Sequence, residues 1–109
     1  MKNFKEFIRE SELENYRKEA LIHIKNNSQI WRDIASNHMK LNFHKVVATG
    51  SVTNKNKFNE NSDIDVAFHY RNPNEPKGLD EKKSQQLQQL FINHPHPHLG
   101  VINTLVFNS

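Results

Sequence analysis

The chain has 109 residues, 35% of them hydrophobic and 25% charged, with a mean hydropathy of −0.84. That supplies one core under a very polar surface, a single domain over 1–109, and no apolar run approaches the roughly 20 residues that span a bilayer. A formal net charge of +3 suits a polyanionic ligand and equally a merely soluble surface, while the lack of cysteine excludes a disulfide framework and thiolate chemistry.

The amino terminus, Met1 to Glu6, has no apolar signal core, so a cytoplasmic location is expected. From Phe4 to Ile24 apolar residues recur at helical spacing, and Ser11 with Glu14 forms a possible capping box at which a helix could restart. Asn26-Asn27-Ser28 is expected to break the pattern. A second helix is predicted from Gln29 to Lys40, with Ile30, Trp31, Ile34 and Ala35 turned inward, which makes 1–42 a region of amino-terminal helices. Those stripes suit core packing or a partner-binding face. Trp31 suits a core anchor or a base-stacking platform.

His44 to Thr49 reads as the first strand, ending at Gly50-Ser51. Ser51 to Lys57 is expected to form a short helix whose first turn faces a ligand. Lys55 and Lys57 on this connection could touch phosphates or could be solvated loop lysines. Asn59 to Ser62 is turn-rich and leads into a second strand, Asp63 to Tyr70. Strand alternation puts Asp63 and Asp65 on one face and Ile64 and Val66 on the other. The α-carbons of the two aspartates would lie about 6.5 Å apart along the strand, and two unpaired carboxylates that close repel each other unless a cation lies between them or one is protonated. Oxygen ligands favour magnesium or manganese.

Arg71 to Gly78, with two prolines, is expected to be a loop with room to move. Leu79 to Asn93 reads as a helix with Leu87, Leu90 and Phe91 inward, a glutamine- and lysine-rich outer side, and Asp80 and Glu81 offsetting the dipole at its start. His94, His96 and His98 alternate with Pro95 and Pro97. Imidazoles so spaced can chelate zinc or nickel, but the prolines make a stiff helix-to-strand connector the better reading. Gly100 to Phe107 is the third strand.

Gly50-Ser51 at a strand end, an eleven-residue gap, then Asp63-Ile64-Asp65-Val66 entering a second apolar strand resemble the signature of the DNA polymerase beta-like nucleotidyltransferase superfamily. At this length the closest likeness is to minimal nucleotidyltransferases. The resemblance covers residues 44 to 107, a βαβαβ core; the first forty or so carry no motif of the family. It implies an α+β fold with a small mixed sheet of three main strands packed by helices. It further implies a nucleoside triphosphate gripped near Gly50 and Ser51, with Lys55 and Lys57 as the candidate further contacts of the connection, and Mg2+ or Mn2+ on Asp63 and Asp65. Nucleoside monophosphate would pass to a hydroxyl acceptor by a two-metal scheme, and a small helical partner protein is implied as the company such a domain keeps. The family's third strand carries a third carboxylate, at the position that here corresponds to Asn103. An asparagine brings no charge and cannot accept the nucleophile's proton. A catalytically weakened nucleotide-binding or antitoxin-like module of the same fold is therefore the competing expectation, and a nucleic-acid binder the least supported.

Overall fold

The computed structural model describes residues 4–92 and 102–109, with side chains described from residue 11 onward. Helix α1 (Phe4–Met39) leads into strand β1 (Phe43–Thr49), a four-residue 3-10 turn (Gly50–Thr53) and strand β2 (Asp65–Tyr70). Then come a two-residue strand β3 (Gly78–Leu79), helix α2 (Glu81–Ile92) and strand β4 (Asn103–Asn108). The sheet order is β1-β2-β4-β3, with β2 and β4 parallel and the outer pairs antiparallel. The three main strands expected from the sequence are thus joined by a fourth, short one at the edge.

The amino-terminal region is one helix, not two. Asn27 donates its side-chain amide to the His23 carbonyl at 2.8 Å and Ser28 its hydroxyl to the Lys25 carbonyl at 3.0 Å. These polar side chains bond back onto the preceding turn instead of competing with it, so the backbone continues through the expected break. With a single phase, Ala20, Ile24, Trp31 and Ala35 form the buried stripe, and Ile30 and Ile34, expected inward, are exposed at 56% and 43%. Lys40, with φ +56°, ends the helix in a left-handed residue.

Both helices lie on one face of the sheet. Trp31 of α1 meets Phe91 of α2 edge-on at 5.9 Å between ring centres, and Phe91 meets Phe68 of β2 at 5.5 Å. Phe43 sits edge-on between Phe68 and Tyr70. These offset aromatic contacts, with Val46, Val66, Leu87, Ile102 and Val106, make the core. Among the described residues no element covers the other face, where Lys45, Val47, His69, Leu105 and Phe107 point. His69 stacks on Phe107 there, and burial, with Lys45 and His44 nearby, pushes its pKa down. No helix of the described residues is long and apolar enough to cross a membrane.

At the far end of the sheet from Thr49 and Asp65, the 71–78 loop is pinned, not free. The buried Asn108 amide donates to the carbonyls of Asn72, Glu75 and Pro76, and its oxygen accepts from the Asn72 N–H. Lys83 bridges Glu75 (3.1 Å) and Asp80 (3.0 Å) beneath the Tyr70 hydroxyl, which donates to Glu75 at 2.6 Å and lies 3.1 Å from Asp80. Burial, then the two acceptors, push Tyr70 up to about 12. Asp80 accepts the Lys83 N–H at 3.0 Å, so it caps α2, which starts two residues later than expected because Leu79 is drawn into β3. The expected end of this helix at Asn93, the His94, His96 and His98 run and the start of the last strand at Gly100 lie outside the described residues.

Candidate functional site

The sheet brings three strand termini to one end. Thr49, the last residue of β1, pairs with Asp65, the first of β2, and Asp65 pairs in parallel register with Asn103, the first of β4. The Asn103 N–H donates to the Ile64 carbonyl at 2.8 Å, and this bond sets the register. Gly50, Asp65 and Asn103 therefore come to one end of the sheet because β2 is central and its two neighbours begin or end beside its first residue.

Gly50 turns the chain away from β1 with φ +73°, a conformation other residues adopt at a cost. Its missing side chain is equally needed. A Cβ at Gly50 would lie 2.5 Å from Asp65 Oδ2, so the Asp65 carboxylate occupies the space that glycine leaves open. Ser51 follows, half-buried, and among the described residues its hydroxyl has no partner. The expected helix over 51–57 is reduced to the Gly50–Thr53 turn followed by further turns. A single 3-10 turn lacks the aligned peptides that build a macrodipole, so the expected attraction of a helix end for phosphate has no basis in this segment.

Asp63 is exposed just ahead of β2, Ile64 and Val66 are buried beneath it, and Asp65 is half-buried. Alternation at this strand entry is as expected. Asn103 contacts one acid and shares a depression with the other: its Nδ2 donates to Asp65 Oδ1 at 3.0 Å, and it lines a shallow depression with Asp63, Gln88 and Ile102. The Asn103 side chain faces Asp65. The consequence for Thr104 is burial at 2% exposure, which would be costly unsatisfied. Gln88 resolves it: its Oε1 accepts from the Thr104 N–H (2.6 Å) and hydroxyl (3.0 Å), while its Nε2 donates to the Ile102 carbonyl (2.8 Å).

Lys55 and Lys57 are exposed on the turn after Thr53 and, among the described contacts, neither side chain meets Gly50, Ser51, Asp63 or Asp65. Two residues absent from the sequence reading matter more. Arg17 on α1 forks onto the Glu14 carboxylate at 2.9 and 3.0 Å and gives a third N–H to the Val52 carbonyl at 3.0 Å, tying the helix to the turn that carries Ser51. The Arg17 hydrogen bonds hold Glu14 below its ordinary pKa, with a smaller contribution from Lys55. The i,i+3 spacing of Glu14 and Arg17 was visible; the reach to Val52 was not. Gln88 had no distinguishing signal among its neighbouring glutamines.

Oxygen donors for a hard divalent cation are present in two carboxylates, Asp63 and Asp65, and the Asn103 side-chain carbonyl, beside a glycine that leaves room for the Asp65 head group. Among the described residues no group of three or more His, Cys, Asp or Glu is placed to hold a metal. The donor set fits magnesium or manganese with two charges instead of three.

A family model described as "Nucleotidyltransferase domain" matches residues 28–109. The chain belongs to this nucleotidyltransferase family. The match takes in the carboxy-terminal third of α1 together with the whole sheet, so it extends further toward the amino terminus than residue 44, where the motif-bearing region begins. The mixed α+β architecture is that of the nucleotidyltransferase fold. No curated protein and no solved structure matches the chain. Nucleotidyl transfer is the activity that the domain's family carries.

Proposed function

We propose that the chain transfers a nucleoside monophosphate from a nucleoside triphosphate to a hydroxyl acceptor, with Mg2+ or Mn2+ at Asp63 and Asp65. The observation that carries this reading is the convergence of Gly50, Asp65 and Asn103 at one end of the sheet, with the Asp65 carboxylate seated where a Gly50 side chain would be. The free Ser51 hydroxyl and the close backbone approach at Gly50 suit a phosphate oxygen. Asp63 and Asp65 would hold the cation, which when bound offsets charge on the phosphates and acidifies the attacking hydroxyl. In the transfer, the acceptor oxygen bonds to the α-phosphorus, the bond to the bridging oxygen of the β-phosphate breaks, and pyrophosphate leaves with that electron pair. Asn103 cannot take the acceptor's proton, so the proton passes to water at this exposed site.

A second reading has its own observation. The Asn103 amide donates to Asp65 where a third carboxylate would otherwise stand, which favours a module that binds nucleotide and turns it over slowly or not at all, as a regulatory or antitoxin-like protein would. The acceptor, and a small helical partner protein that could present it, belong to the first reading. Magnesium-dependent release of pyrophosphate from each of the four triphosphates, measured for the wild type and for Asp63→Asn/Asp65→Asn, tests the proposal. Release that is lost in the double variant supports transfer. Release that persists in the double variant refutes the site, and triphosphate binding with no release in the wild type favours the module.

A further inference from the structure

A groove of about 550 Å³ lies between the amino-terminal half of α1 and the 58–62 loop, within the size range of small-molecule sites. Its apolar walls are Leu13, Tyr16 and Phe58, the two rings tilted 30° with centres 6.2 Å apart; Glu12 and Glu60 stand at its rim. Ser62, also in its lining, immediately precedes Asp63. On the opposite wall, Tyr16 is followed by Arg17, whose bond to the Val52 carbonyl fastens this part of α1 beside the Gly50-Ser51 turn. The groove therefore borders both the phosphate-holding turn and the entry to the acidic strand.

The sheet order gives the groove a side. The Gly50 turn follows β1, the acids head β2, and Asn103 heads β4. α1 packs on β1 and so flanks the turn that would hold phosphate, whereas Asn103 on β4 lies at the other flank, the side left to the acceptor in the proposed transfer. A carboxylate rim repels a triphosphate, the exposed Glu12 carboxylate can accept N–H groups, and the aromatic wall offers a face on which a flat ring can stack. We infer that this groove holds the base of the donor nucleotide, and that it favours purines carrying an exocyclic amine. The inference rests on the nucleotidyl-transfer reading and adds to it the donor's base. Glu12, Leu13 and Tyr16 precede residue 28, where the match to the family begins, so base choice would reside outside the matched segment.

Calorimetric titration of the full chain in magnesium with α,β-methylene analogues of ATP, GTP and UTP, and with inorganic tripolyphosphate, separates the parts. Purine analogues should bind tighter than the UTP analogue. Tyr16→Leu, which keeps apolar bulk while removing the ring, should weaken the ATP and GTP analogues by about five- to a hundredfold, the range for one base-stacking contact. Tripolyphosphate affinity should stay as it was, and Tyr16→Phe should retain the wild-type preference. Glu12→Ala, at an exposed position, should narrow the gap between GTP and UTP analogues. Unchanged purine affinity and preference in Tyr16→Leu and Glu12→Ala would overturn the groove assignment while leaving the nucleotide site standing. Unchanged analogue binding with slower pyrophosphate release from ATP would give the groove to the acceptor and equally overturn it. If neither tripolyphosphate nor any analogue bound the wild type, the nucleotidyl-transfer reading would fail and the groove assignment with it.

Discussion

Gly50→Ala should destabilise the protein through two separable effects. The first is local: φ at Gly50 is +73°, and a left-handed residue with a Cβ costs about 1 to 2 kcal/mol. The second is a contact, because the new methyl would lie 2.5 Å from Asp65 Oδ2 and 3.4 Å from Cγ, forcing the carboxylate aside. Overpacking of this kind costs about 1 to 3 kcal/mol, so the single variant should lose about 2 to 5 kcal/mol. In an Asp65→Ala background both offending atoms are gone and the nearest remaining atom, Asp65 Cβ, is 3.6 Å away, an ordinary contact. There Gly50→Ala should cost only the backbone share. Urea denaturation of the four proteins completes the cycle, and a coupling of about 1 to 3 kcal/mol between Gly50 and Asp65 is expected. Coupling below about 0.5 kcal/mol, the ordinary scatter of additivity, would refute the view that glycine stands at position 50 to make room for the Asp65 head group.

Asn103→Asp should lower thermal stability in a chelator, since it sets a second carboxylate against Asp65 where an amide now donates at 3.0 Å. Manganese should reverse that loss, and turnover should rise by about 10²- to 10⁴-fold, the effect of a positioned acid-base group; melting curves with and without manganese, and pyrophosphate release, check both. Gln88→Leu should cost about 2 to 5 kcal/mol by urea denaturation, because it strands the Thr104 N–H, the Thr104 hydroxyl and the Ile102 carbonyl together. A loss under about 0.5 kcal/mol would show that water serves these groups as well. The acid limb of stability should depend on Lys83. Tyr70 and Lys83 hydrogen bonds hold Glu75 low, and the Lys83 N–H with the Lys83 ammonium hold Asp80 low. With both folded pKa values depressed, the unfolded chain takes up protons first, so this stability is present above about pH 4.5 and lost as pH falls through the folded values. Lys83→Met should flatten that decline between about pH 5 and 2 in pH-dependent denaturation; an unchanged slope would remove the cluster from the acid response.

Sequence by itself determined the strand alternation around Asp63 and Asp65, the Gly50 turn, the α+β class and the family, because each depends on residues near one another in the chain. Period-2 patterning and a glycine before a polar turn survive in any tertiary setting. The continuous α1 was not legible: Asn26-Asn27-Ser28 carries poor helix formers, and the helix runs through them with Asn27 and Ser28 bonded to carbonyls one turn back and Ala20, Ile24, Trp31 and Ala35 buried on either side. That continuity in turn rotated Ile30 and Ile34 outward. Tertiary structure alone decided that Asn103 faces Asp65, since the parallel pairing of β2 with β4 joins segments 38 residues apart. Gln88 could bury Thr104 without penalty only once α2 lay over β4, and Arg17 could steady the Ser51 turn only once α1 lay beside it. Long-range hydrogen bonds such as these are satisfied by position in space, and no spacing along the chain announces them.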